Sequence, residues 1–216
     1  PLPLTKRRLL ELAFSRLGDA YGWGGYRGNR DCSRFVHDML ETFGVLMARN
    51  SAAQALMGAK NIDLRGMTDP DKRQEITRLD ARNVVLLYMP GHIMLYLGRD
   101  GDRHFALSSL SEYMRPCEGG GAQTVRLDRV EVTSLELGRG TPRTSFLERL
   151  TTAVVFGPGY RRDRAGPHAN EDAEPMFRRP RLVSCSSRLA HGRARKANLE
   201  RALRLDERLT REPAQP

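Results

Sequence analysis

The 216-residue sequence is poor in cysteine, aromatic residues and long apolar runs. Its three cysteines, Cys32, Cys117 and Cys185, are scattered and form no C-x-x-C pair. That argues against a zinc ribbon and against a disulfide scaffold, and it leaves at least one thiol unpaired in a monomer. No apolar run approaches the roughly 18 residues of a membrane helix, so no membrane span is expected. A secretory signal peptide is also lacking. The chain opens Pro1-Leu2-Pro3 without Met, the start expected of a fragment or processed product, so a missing export signal says nothing about compartment. Aromatic residues make up 6% of the chain and do not interleave with its arginine runs. Nucleic-acid binding by base stacking therefore has little support. No internal repeat is found.

Hydrophobic residues amount to 39%, enough for one ordinary core with an appendage. The net charge is +10. Residues 158–216 carry 14 Lys and Arg against 8 Asp and Glu, so more than half of the excess lies there. The expected division is a folded domain over 1–157 and a basic, low-order tail over 158–216, with a weakly helical segment near 187–210. A basic balance suits anionic polymers without choosing among them.

Thr5 caps an expected helix over 6–17, closed by Gly18. A second helix runs from Cys32 to near Gly44, with Phe35, Val36, Met39, Leu40 and Phe43 on one face. Residues 48–58 read as a third helix capped by Asn50 or Ser51, and residues 60–82 as polar and irregular. At Asn83 the period changes. Residues 84–89, 92–98 and 103–109 read as strands, the last two joined by a hairpin turn at Arg99–Asp102. Two short strands are expected at 123–127 and 129–137, then a closing helix over 146–155. Helices followed by antiparallel strands predict an α+β fold with the Cys32 helix packed on one face of the sheet.

Chemistry concentrates where Tyr21-Gly-Trp-Gly-Gly runs into Asp31-Cys32-Ser33. Asp31 is a natural N-cap and places Cys32 in the first helical turn. Unpaired N–H groups and the helix dipole there favour a thiolate and predict a lowered thiol pKa. A cysteine nucleophile needs a base and a group to orient that base. His37 lies about 140° around the helix from Cys32. His168 and His191 fall in the tail. His92, at the start of a strand after Pro90-Gly91, is the best base. His104 shares a face with Ser108 but lies about 13 Å along the strand, too far to replace it.

Tyr-x-Trp-Gly-Gly, Asp-Cys-Ser and Gly-His-Ile-Met-Leu-Tyr-Leu-Gly together resemble the NlpC/P60 cysteine peptidases, which cleave bacterial cell-wall peptides. Arg49-Asn50-Ser51 with Gln54, Leu135–Gly140 and Ser145–Thr151 are similar to the branch of that family preceded by bacterial SH3-type domains. The resemblance covers about residues 5–156. It implies a papain-like half-fold and hydrolysis of the γ-D-glutamyl–diamino acid bond of peptidoglycan stem peptides, in the bacterial cell envelope. It requires no metal and no cofactor, and it indicates no oligomeric state. By position it makes Cys32 the nucleophile and His92 the base. Ser108 stands where the family usually has a histidine to orient the base, and Tyr21 assists the oxyanion. Asp31, Ser33, Ser51 and Trp23 would contact the stem peptide, although Trp23 packed under its own loop is an equal expectation. Arg34 replaces the family's usual Gly after Asp-Cys-Ser. The alternative to a peptidase is a weakened or inactive peptidoglycan-binding module, and Ser108 is its sign. A third reading makes the basic tail a tether to an anionic polymer.

Overall fold

A computed structural model describes residues 3–157; the basic tail expected at 158–216 lies outside the described residues. Helix α1 spans Lys6–Phe14 and α2 spans Cys32–Glu41. A 3-10 segment, Trp23–Gly28, lies between them. A short α3 covers Ser51–Gln54, strand β1 Lys60–Asp63 and helix α4 Asp69–Asp80. Strands β2 (Val84–Met89), β3 (His92–Asp100), β4 (Arg103–Pro116) and β5 (Ala122–Ser134) follow. Helix α5 (Phe146–Arg149) and strand β6 (Thr152–Phe156) close the fold.

The six strands form one antiparallel sheet in the order β1-β6-β2-β3-β4-β5. The α+β fold is as expected, and the differences are local. The expected closing helix over 146–155 is one turn of helix followed by β6, which sits between β1 and β2. Residues 152–156 are a short apolar, partly β-branched run, which periodicity alone cannot assign. The region read as irregular, 60–82, contains β1 and α4. The two short strands near 123–137 are one strand, β5. The third helix is four residues long rather than eleven.

The sheet separates two apolar clusters. On one side α1 and α2 pack against Ile93, Leu95, Leu97 and Leu107, with Phe35 and Leu40 fully buried. Burying each such side chain stabilises the fold by roughly 1.5–3 kcal/mol. On the other side α4 and α5 supply Ile76, Leu79, Phe146 and Leu147 against Leu87, Met94 and Tyr96. The interior strands β2 and β3 are therefore buried on both faces, which explains their continuous apolar runs. Lys72 of α4, itself 5% exposed, donates to the carbonyls of Leu147, Glu148 and Leu150 at 2.8–3.1 Å. It thereby satisfies the C-terminal carbonyls of α5 and fixes that helix over the start of β3.

Candidate active site

The glycine-rich segment is shaped by its backbone. A Cβ at Gly22 would lie 2.5 Å from Asn29 Cβ and 2.7 Å from Tyr26 O, so only glycine fits there. Gly24 adopts φ +64°, and its N–H donates to Asp31 Oδ2 at 3.0 Å. Asp31 also caps α2 by accepting from Arg34 N at 2.8 Å, and it accepts from Ser33 Oγ at 3.0 Å. One carboxylate thus joins the loop to the first turn of the cysteine helix.

Arg49 completes this arrangement. Its Nη2 donates to Asp31 Oδ2 at 2.7 Å, and its Nη1 to Asp31 Oδ1 at 3.1 Å and Ser33 Oγ at 2.9 Å. Burial by itself would raise the Asp31 carboxyl, but the hydrogen bonds from Arg49, Arg34 and Ser33 and the Arg49 charge together outweigh it and hold the pKa below the usual value. Gln54 ties α3 to the same place by donating to the carbonyls of Ser33 and Ala48, both at 2.8 Å. Arg49 and Gln54 stood in a motif of the sequence, but their contacts span 18 and 21 residues and needed the fold to be seen.

Cys32 is free and buried, with 9% of its surface exposed. Burial pushes its thiol up to about 11 and the Asp31 charge adds to this, while the backbone N–H groups of Ile93, Ser33 and Cys32 itself act in the other direction. The lowered pKa expected from the helix start is therefore corrected. The helix terminus does supply donors, but desolvation of the anion is the larger effect.

His92 opens β3. Its Nε2 lies 3.1 Å from Ser108 Oγ, and its ring sits against Phe146 at 5.7 Å between centroids. Burial, helped by the Arg149 charge, pushes the imidazole down to about 4, so it is neutral near pH 7. Ser108 is fully buried in β4. The thiol belongs to the α2 side of the sheet and the imidazole leans toward α5. The backbone N–H of Ile93, the residue after His92, is near enough to the sulfur to favour its charged form. In this conformation no hydrogen bond joins thiol and imidazole.

Tyr21 is half-buried, and its hydroxyl is pushed up by burial and then by the neighbouring Cys32 and Asp31, so it stays a donor. Ser51 is half-buried at the start of α3, whose cap is Asn50. Trp23 is 65% exposed, which removes the reading that packs it beneath its loop. His104 lies elsewhere, with Nδ1 2.8 Å from Tyr96 Oη. Arg34 Nε lies 2.7 Å from Asp38 Oδ1. His37, Asp38 and Glu41 place ligand-type atoms within 4.8 Å of one another, but Asp38 already pairs with Arg30 and Arg34. A cleft of about 460 Å³ beside these residues is lined by Arg16, Arg30, Arg34 and Met39, and by neither Cys32 nor His92.

The fold has counterparts among known proteins. No curated protein matches the sequence. Among solved structures, the chain is similar to an NlpC/P60 endopeptidase from Photobacterium damselae subsp. piscicida. The TM-score is 0.58 at 15% identity, over 70% of this chain and 39% of that one. An NlpC/P60 family protein from Bacillus cereus aligns with TM-score 0.44 at 19% identity, over 72% and 41% of the two chains. The peptidoglycan hydrolase RipB from Mycobacterium tuberculosis aligns with TM-score 0.35 at 22% identity, over 59% and 62%. The chain thus spans about two fifths of the length of the first two, and the first likeness shows the shared fold. The NlpC/P60 family model matches residues 18–113, which hold the Cys32 helix, the first strand of the sheet and the β2–β3–β4 unit. Residues 18–113, a little under half of the chain, are thus an NlpC/P60 family segment.

Proposed function

We propose that the protein is a cysteine-type cell-wall peptidase. Its substrates are peptidoglycan stem peptides in the bacterial envelope, and the bond cut is γ-D-glutamyl–diamino acid. The observation that carries the reading is a division of labour at the start of β3. Ser108 Oγ lies 3.1 Å from Nε2 of His92, while the backbone N–H of Ile93, next in the chain, favours the charged form of the Cys32 sulfur. This leaves Nδ1, the ring nitrogen nearer the backbone, to serve the thiol.

Cys32 and His92 rest as a neutral pair, since burial disfavours both charged forms. On substrate binding, Nδ1 takes the thiol proton as sulfur attacks the scissile carbonyl. Nε2–H then donates to Ser108, whose oxygen keeps the ring oriented while it is imidazolium. The tetrahedral oxyanion is met by the Cys32 N–H and the Tyr21 hydroxyl. Collapse returns the proton to the leaving amine and leaves a thioester on Cys32. Water, deprotonated by the same imidazole, releases the acyl group. Trp23, exposed on the loop rim, and Ser51 contact the stem peptide. Asp31 and Ser33 shape the pocket wall through Arg49.

The test is incubation with defined muropeptides and mass spectrometry of the products. Wild-type protein yields the two fragments of γ-D-glutamyl cleavage, and Cys32→Ala yields none. Equal cleavage by Cys32→Ala removes the proposal.

A second reading has its own observation. Ser108 is neutral and short, so it stabilises an imidazolium less than a charged or aromatic partner would. A peptidoglycan-binding module of weak or absent activity fits that substitution. Ser108→His separates the two: a rise from no activity supports the binding module, and a modest change supports a working peptidase.

A further inference from the structure

Arg49 has no part in the roles above beyond shaping a wall, yet its contacts converge on the nucleophile. We propose that Arg49 is a positioning residue for Cys32, clamping the two residues that flank it in sequence, Asp31 and Ser33, and setting the charge around the sulfur. The inference rests on Cys32 being the reacting group.

The geometry supports it in three ways. The guanidinium holds both oxygens of Asp31 and also Ser33 Oγ, at 2.7, 3.1 and 2.9 Å. A planar fork can fix two acceptors at once, so the first turn of α2 is held at two points on either side of the thiol. The same carboxylate carries the Gly24 N–H and the α2 cap, so the clamp also fixes the loop that follows Tyr21.

Charge gives the second effect. The titratable and charged groups whose charges are coupled to the sulfur are Tyr21, Asp31, Arg49 and Tyr88. Near pH 7 the tyrosines and His92 are neutral. Asp31 is the anion, and it opposes a second negative charge on the thiol. Arg49 is the cation that balances it, and its own charge is coupled to both Asp31 and Cys32. Without Arg49, an uncompensated carboxylate would stand next to a sulfur that must become anionic.

The experiment titrates the thiol without substrate, so it stands apart from the peptidase reading. Thiolate absorbance near 240 nm is followed with pH, each protein being read against its own Cys32→Ser counterpart. In Arg49→Ala the thiolate fraction at a given pH below the midpoint falls about tenfold. Arg49→Lys keeps the charge and recovers most of that fraction, but it lacks the fork and lowers kcat with little change in KM. The Lys variant also covers the case in which Arg49→Ala fails to fold. An unchanged titration in Arg49→Ala alongside a lower melting temperature would make Arg49 a structural strut and overturn the proposal. So would a Lys variant that loses as much thiolate as the Ala variant or, where the Ala variant does not fold, one whose kcat equals that of wild type. Muropeptide inactivity of the wild type with the expected titration shifts would defeat the peptidase reading and leave this one standing.

Discussion

Cys32 and His92, the proposed catalytic pair, are held in opposite ways. The cysteine side is polar and redundant: Asp31 accepts hydrogen bonds from Gly24, Ser33, Arg34 and twice from Arg49. The histidine side is apolar and spare, with Ser108 on one nitrogen and Phe146 against the ring. A nucleophile must sit at a fixed point on a helix end, and several bonds fix it. A base must gain and lose a proton, and a spare surround lets it move between two states. The cost is that loss of its one partner is felt at once.

Five variants, one of them read within a pH series, sharpen this contrast. Cys32→Ala should lower muropeptide cleavage at least a thousandfold and leave the circular dichroism spectrum and melting profile near wild type. On the polar side, Asp31→Ala removes the α2 cap and strands Arg49. Since Arg49 is a third exposed, the expected loss is about 2–4 kcal/mol, measured by urea unfolding. On the spare side, Ser108→Ala leaves a buried ring nitrogen without a partner. It should cost about 1–3 kcal/mol of stability and slow turnover about tenfold, and the kcat loss should exceed any change in KM.

Acid probes the same buried ring. His92 titrates near 4 in the folded state against 6.5 when exposed, so the unfolded chain takes up the proton first as pH falls. Stability conferred by the neutral imidazole is fully present above pH 6.5 and is lost as pH drops toward about 4. The loss is about 3 kcal/mol for this group. Melting temperatures taken across that window check it, and His92→Phe should flatten part of the slope. The smallest effect is expected at His104. Its ring nitrogen serves Tyr96 on the α4 side, so His104→Ala should leave kcat within about twofold while lowering the melting temperature.

Much of this was readable from residue order. The capped α2 helix follows from Asp31 and the spacing of Phe35, Val36, Met39 and Leu40. The β2–β3 hairpin follows from an apolar run broken by Pro90-Gly91. Ser108 beside His92 follows from the family resemblance, which puts the residue that orients the base at this position, and the hydrogen bond is found there. Other features needed three dimensions. Helix α4 buries Lys72 and Asp80 beside Ile76 and Leu79, so its inner face is too polar to announce itself. Strand β6 is five residues long and gains its identity only by pairing with β1 and β2. The thiol is the instructive case: its place at a helix start is a local fact, but its burial is a tertiary one, and burial dominates its titration.

The central claim is that the Cys32 sulfur itself carries the acyl group. The most direct measurement is an acid-quenched reaction of the protein with a defined muropeptide, followed by mass mapping of the adduct. A thioester of the γ-D-glutamyl fragment on the peptide containing Cys32, accumulating before products appear, is the predicted result. Hydrolysis that proceeds with no adduct on that peptide and continues undiminished in Cys32→Ala would contradict it.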